Sequence, residues 1–188
     1  ATIVDGMPNG NFLQDLHLQK YEYYLIVCRL EPENHVLEIL SGFIASKSKF
    51  PLVVIGDHHV NTKYVRRLMN IHNDRIRFLG TMYDPERLQA LRYYCKAYFH
   101  GHSVGGTNPS LLEALGCGNT VIAHDNVFNR EVAADTAIYF TDSSDMPAII
   151  EKIEEQDDVH RIESAERARK RIQDRYTWER VTEAYLHL

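Results

Sequence analysis

The sequence predicts an α/β fold: a Rossmann-like parallel sheet with helices on both faces. Three observations carry this. Short apolar runs alternate with segments of helical periodicity along most of the chain. The first of these runs, Tyr23–Cys28, is continuously apolar, as a strand buried on both faces should be. The connections between them are short, and parallel neighbours then require crossover helices.

In chain order, residues 1–22 show weak periodicity, with turn signals at Asp5-Gly6 and Pro8-Asn9-Gly10. They read as a lead-in segment or interdomain linker, and 23–188 as the domain itself. Tyr23–Cys28 (YYLIVC) is the first strand. Pro32 suits the first turn of a helix, and Val36, Leu37, Leu40, Phe43 and Ile44 follow at helical spacing. Pro51–Gly56 and Arg75–Gly80 are the next strands, separated by a charged helix around Thr62–His72. A helix over Pro85–Tyr94 leads to a short strand, Ala97–His100, and a helix over Pro109–Leu115 is stopped by Gly116 and Gly118. Thr120–His124 and Ala137–Phe140 are strands around a helix at Phe128–Ala134. Helices over Met146–Glu155, Arg161–Arg175 and Tyr176–Leu188 close the chain; the last carries Trp178, Val181, Tyr185 and Leu186.

The 188 residues suffice for one domain with a sizeable core, and 44% hydrophobic with 25% charged residues is ordinary for a globular protein. A net charge of −5 argues against a general nucleic-acid binder, whose footprint should be basic. Cys28, Cys95 and Cys117 are odd in number and lack C-x-x-C spacing. They read as buried thiols in a reducing, cytoplasmic compartment. No apolar run approaches the ~18 residues of a membrane span.

In such sheets ligands bind beyond the carboxyl ends of the strands. The most informative stretch there is HGHSVGGTNPSLLEALGCG, His100–Gly118. Gly101, Gly105 and Gly106 let backbone approach a ligand, and Thr107 or Asn108 caps the helix that follows. Free amides and the helix dipole suit a phosphate. Glu113, on the first turns, can accept from vicinal hydroxyls such as those of a ribose; the alternative is a tight turn with a solvated Glu113. Arg29 either forks onto phosphate oxygens or pairs with Glu31 or Glu33. Asp57, His58, His59, His100 and His102 border the cleft without metal-motif spacing, so no metal is expected. His102 can donate to a phosphate or a sugar hydroxyl. His124, Asp125, Asn129, Arg130 and Glu131 are either a capped helix start or a second wall with Arg130 as its cation. The letters G-x-S-x-G occur once, as GHSVG at Gly101–Gly105; there is no G-x-x-x-x-G-K-[ST], and no G-x-G-x-x-G after the first strand. The last two absences count against P-loop enzymes and dinucleotide dehydrogenases.

NPSLLEALGCGNTVIAHD, Asn108–Asp125, resembles the signature helix of glycosyltransferase family 4. The element order is similar to the C-terminal half of a GT-B fold. CRLEPEN at Cys28–Asn34, the His100–Asn119 stretch and FNREV at Phe128–Val132 look most like rhamnosyltransferases. The resemblance implies a retaining, metal-free transferase with no cofactor and a nucleoside-diphosphate sugar as donor. Glu113 would hold the ribose, Arg29 the diphosphate, and the Gly105, Gly106, Thr107, Asn108 loop the phosphates and sugar, with His102 or Arg130 adding charge. Rhamnose on thymidine diphosphate follows from that likeness; UDP- and GDP-linked sugars stay open. The family often has a lysine where Asn34 stands and a glutamate where Gly105 stands. The catalytic residues are not identified. The resemblance further implies an N-terminal domain for the saccharide acceptor, no transfer by this half alone, and an open question of peripheral membrane contact. Two other readings are half of a nucleotide-sugar epimerase and a non-catalytic nucleotide-binding module.

Overall fold

The computed structural model describes residues 2–178, Arg180 and Thr182. Six strands form one sheet: β1 (Tyr24–Val27), β2 (Leu52–Ile55), β3 (Ile76–Gly80), β4 (Ala97–His100), β5 (Val121–His124) and β6 (Ala137–Phe140). All neighbours pair parallel, in the order β3-β2-β1-β4-β5-β6. The helices are α1 (Val36–Ala45), α2 (Lys63–Met69), α3 (Pro85–Tyr94), α4 (Pro109–Gly116), α5 (Val127–Ala133), α6 (Met146–Glu154) and α7 (Asp158–Arg175). The predicted Rossmann-like sheet with helices on both faces is therefore the observed fold.

The pleat sends alternate residues of each apolar run to opposite sides. Tyr23, Leu25, Val53 and Tyr98 pack with Leu111, Leu115, Ala168 and Ile172 on the face of α3, α4, α5 and α7. Tyr24, Ile26, Val54 and Phe99 pack with Leu40, Phe43, Leu68 and Ile150 on the face of α1, α2 and α6. Each such side chain contributes about 1.5–3 kcal/mol by leaving water, and the two layers clamp the strands from both sides.

Most helix starts are written in their caps. Thr62 accepts from the Val65 amide, Asp84 from Glu86 and Arg87, Asn108 from Ser110, Asn126 from Phe128 and Asn129, and Asp157 from His160. The Asp157 cap starts α7 at Asp158, three residues before the sequence reading placed it. Ala134, at φ 49°, stops α5 one residue earlier than predicted.

The larger departure concerns Pro32. It opens a separate 3-10 turn, Pro32–Asn34, and His35 then takes a left-handed conformation at φ 48° before α1 begins. The Asn34 side chain is turned inward, 2% exposed, and donates to the Arg29 carbonyl at 2.6 Å. The left-handed His35 breaks what the periodicity suggested was one helix.

Residues 2–22 pack on the sheet's flank. Leu13 and Leu18 are buried, the Val4 amide donates to the Gly116 carbonyl, and Tyr94 Oη donates to the Pro8 carbonyl. Cys95 and Cys117 are buried free thiols, whereas Cys28 is only half-buried. Burial pushes Cys117 up to about 12, so it is a protonated core residue. No helix among the described residues is long and apolar enough to cross a membrane. Of the closing helix predicted over Tyr176–Leu188, Val181, Tyr185 and Leu186 lie outside the described residues.

One prediction arises from the caps. Asn126 fixes the start of α5 and also donates to the carbonyls of His102 (2.9 Å) and His124 (3.2 Å). Asn126→Ala should cost about 1–2 kcal/mol, read as a fall in Tm of roughly 5 °C. A Tm unchanged within error would show that Asn129, which reaches the same two carbonyls, suffices by itself.

Candidate functional site

The strand order reverses between β1 and β4, and the crevice beyond their carboxyl ends is where ligands bind in such sheets. Two loops form its walls. After β1, Arg29 stands out in solvent, 82% exposed, with Nη2 3.5 Å from Glu31 Oε2. An exposed pair at that distance is weak, so the guanidinium is available to an anion. After β4, Gly105 (φ 86°) and Gly106 have nothing within 4 Å of where a Cβ would stand. Among the described residues, the amides of Gly105, Gly106 and Thr107 have no partner.

The two walls are stitched together. The Ser103 amide and Oγ both donate to the Glu33 carbonyl at 3.0 Å. Gly101 lies so close to the Asn34 carbonyl that a Cβ there would collide with it. Gly101 therefore serves an internal contact, while Gly105 and Gly106 are the glycines open to a ligand. Asn34 is likewise an internal brace, so its side chain adds nothing to the crevice surface.

Of the two candidate caps of α4, Asn108 is the one used; Thr107 is exposed. Asn108 accepts from the Ser110 amide at 2.9 Å, Pro109 has no N–H, and Leu111 and Leu112 donate to the Asn108 carbonyl. The first turn of α4 is thus internally satisfied, and the free donors are those of the loop ahead of it.

Glu113 is half-exposed at 53%, with Oε2 2.7 Å from Arg92 Nη2. It borders a groove of about 890 Å³ lined by Leu88, Arg92, Thr107, Pro109 and Leu112 among others. Arg92 is 5% exposed and escaped the sequence reading. Its signal was an arginine one turn after Leu88, on the apolar side of α3.

The histidines divide by burial. His100 is 1% exposed, and neither ring nitrogen has a hydrogen-bond partner within the protein. It stacks on His102 with ring centroids 4.5 Å apart. Burial pulls His100 down to about 3. Burial, and then the Arg29 charge, also lowers His102. At neutral pH both rings are therefore uncharged, and His102 can offer a hydrogen bond but no cation. His124 stacks on His35 at 4.1 Å. His58 and His59 lie against each other beyond β2, and the Asp57 carboxylate accepts from the His59 amide. Among the described residues no group of three potential metal ligands converges.

Arg130 is engaged elsewhere. Its Nε and Nη2 fork onto Asp125 at 2.5 and 2.7 Å, and the guanidinium lies 4.3 Å over the Tyr139 ring. The hydrogen bond from Arg130 holds the Asp125 carboxyl below its usual value. The pair is closed on itself, so it is a poor source of positive charge for the crevice.

A doubly wound sheet with an exposed arginine after β1 and open loop amides after β4 has the layout of the ligand-binding α/β class. The sequence profile described as Glycosyl transferases group 1 matches residues 11–175. The chain belongs to that family. A search of curated proteins found no match. Among solved structures, HepE of Anabaena in complex with UDP-glucose is similar, with a TM-score of 0.78 at 18% identity over 94% of this chain and 52% of that one. A glycosyltransferase of Rickettsia africae ESF-5 gives 0.79 at 12% identity, over 93% and 49%. The C-terminal domain of the group 1 protein LpcC of Francisella tularensis gives 0.70 at 17% identity, over 92% and 96%. The chain thus spans about half of the first two structures and nearly all of the isolated C-terminal domain. These likenesses place the fold with the GT-B glycosyltransferases.

Proposed function

We propose that this domain binds the donor of a retaining glycosyltransferase, a nucleoside-diphosphate sugar, in the crevice between β1 and β4. The supporting observation is placement: the Arg29 guanidinium follows β1 and the open amides of Gly105–Thr107 follow β4, on the two sides of the switch point, and Glu113 borders a groove that Thr107 also lines. The amides and Arg29 suit a diphosphate, and Glu113 suits ribose hydroxyls. That HepE was solved with UDP-glucose is in keeping with this. Family 4 membership, a rhamnosyl donor and a role in cell-surface glycan synthesis belong to the same proposal, carried by the likeness of CRLEPEN, the His100–Asn119 stretch and FNREV.

In this reading the diphosphate leaves and an acceptor hydroxyl attacks from the same face. Arg29 and the loop amides offset the charge that develops on the leaving group. No metal is required in that role. Residues 1–22 would lead to an acceptor-binding domain, and transfer would need both halves closed around the substrates. A second reading, a nucleotide-binding module without transfer activity, draws on the inward Asn34 and on Gly105, where the family has a lysine and a glutamate.

The test is a thermal-shift series with UDP, GDP, ADP and dTDP, each with and without magnesium. Ligand at 100 times its Kd should stabilise the chain by about 2.7 kcal/mol. One nucleotide should stand out, independently of magnesium, and Glu113→Ala should weaken it at least tenfold. An equal response of wild type and Glu113→Ala would remove the ribose role. A response that appears only with magnesium would remove the metal-free one.

A further inference from the structure

Arg92 is the most costly side chain near the crevice. A buried guanidinium is expensive to desolvate, and an apolar side chain of similar volume usually serves stability as well or better. Its compensation is partial: Nη2 meets Glu113 Oε2 at 2.7 Å and Ser110 Oγ at 3.2 Å, while Nε has no partner within the protein. The carboxylate it meets stands half in solvent at the edge of the groove.

The contact continues inward. Ser110 Oγ lies 2.5 Å from Tyr98 Oη, and Tyr98 Oη donates to the Val27 carbonyl at 3.1 Å. Val27 ends β1, two residues before Arg29. One chain of polar contacts therefore runs from the end of β1 through β4, α4 and α3 to the Glu113 carboxylate.

We propose that Arg92 is a positioning residue: it fixes the Glu113 carboxylate at one rotamer, with Oε2 held and Oε1 presented to the ribose of the bound nucleotide. A free Glu side chain on an exposed helix turn samples several rotamers, and holding one lowers the ordering cost on binding. This rests on the ribose role of Glu113 proposed above. The role assigned to Arg92 runs through Glu113.

The test uses the whole 188-residue chain and titration calorimetry with UDP, GDP and ADP, each compared with its 2′-deoxy counterpart. Arg92→Met removes the charge and keeps the bulk, and Ser110 Oγ retains Tyr98 and Val27 as partners. The variant should bind the preferred ribonucleotide about 2–10-fold more weakly, the ordering cost of one immobilised side chain. Its preference for ribose over 2′-deoxyribose should collapse, and its Tm should hold or rise. Arg92→Lys should recover part of the preference. In Glu113→Ala, adding Arg92→Met should cost nothing more.

A merely structural arginine would lower Tm and weaken both sugars equally, which would overturn the proposal. So would a Glu113→Ala variant that loses ribose preference beside an Arg92→Met variant that keeps it; the ribose reading would then survive alone. If neither variant changes affinity or preference for any pair, the ribose role falls and the proposal with it. Should Arg92→Met fail to fold, Arg92→Lys decides: full ribose preference with a lowered Tm overturns positioning.

Discussion

Acid should destabilise this domain progressively from about pH 6.5 downward, and His100 should be the main cause. The ring is buried, held down to about 3, and without a partner that would welcome a proton. Unfolded, the same imidazole titrates near 6.5. The unfolded chain thus binds more protons throughout the interval from about 6.5 down to about 3, so stability falls as the pH falls through it. At pH 4 the expected loss from His100 is about 3 kcal/mol relative to pH 7. His102 and His124 are lowered by burial and act in the same direction. So do Asp125, Asp142 and Asp157, each held below its usual value by a hydrogen bond. His160 alone runs the other way among the shifted histidines, raised by Asp157, and it is fully exposed. Chemical denaturation at pH 7, 5.5 and 4 measures the slope. His100→Leu keeps approximate volume and abandons no hydrogen bond. It should leave pH 7 stability equal or higher and remove most of the loss between pH 6.5 and 4. An unchanged slope in that variant would mean that the carboxylates, not the buried ring, carry the acid response.

The frame that positions the site was legible because each strand is a short apolar run between turn residues, and each helix except α1 and α6 opens on a side-chain cap. The polar residues were harder to read. Periodicity places Arg92 one turn after Leu88, on the apolar side of α3, but does not say which partner a buried guanidinium meets. Asn34 stood at a position where the family has a lysine, and nothing in the sequence announces a side chain turned toward the Arg29 carbonyl. The two readings of Arg130, in a capped helix start or as the cation of a second wall, stayed open because Asp125 lies outside the helix, five residues back, where helical i,i+4 spacing gives no hint of a fork. The exposure of Arg29 and Glu113 was legible because it follows directly from standing after a strand and near a helix start.

Gly101→Ala should be the most disruptive single-methyl change near the site. The added Cβ would collide with the Asn34 carbonyl oxygen and crowd Ile39 Cδ1. The blocking atom is backbone, so no rotamer change relieves it. Either β4 retreats from its pairing with β1 and β5, or the Pro32–Asn34 turn lifts away from it. The second path pulls Asn34 Nδ2 off the Arg29 carbonyl and strains both bonds from Ser103 to the Glu33 carbonyl. Overpacking of this kind costs about 1–3 kcal/mol, and a lost buried hydrogen bond adds about 1 kcal/mol. For a chain of this size the fall in Tm should be roughly 5–12 °C. Gly106→Ala is the control for stability: open space surrounds that position, and its Tm should move by less than about 2 °C. The two walls of the crevice move apart in Gly101→Ala, so affinity for the preferred nucleoside diphosphate should fall with stability. Equal Tm values for the two variants would show that the β1 and β4 loops adjust independently, and the crevice would then be two mobile walls rather than one braced unit.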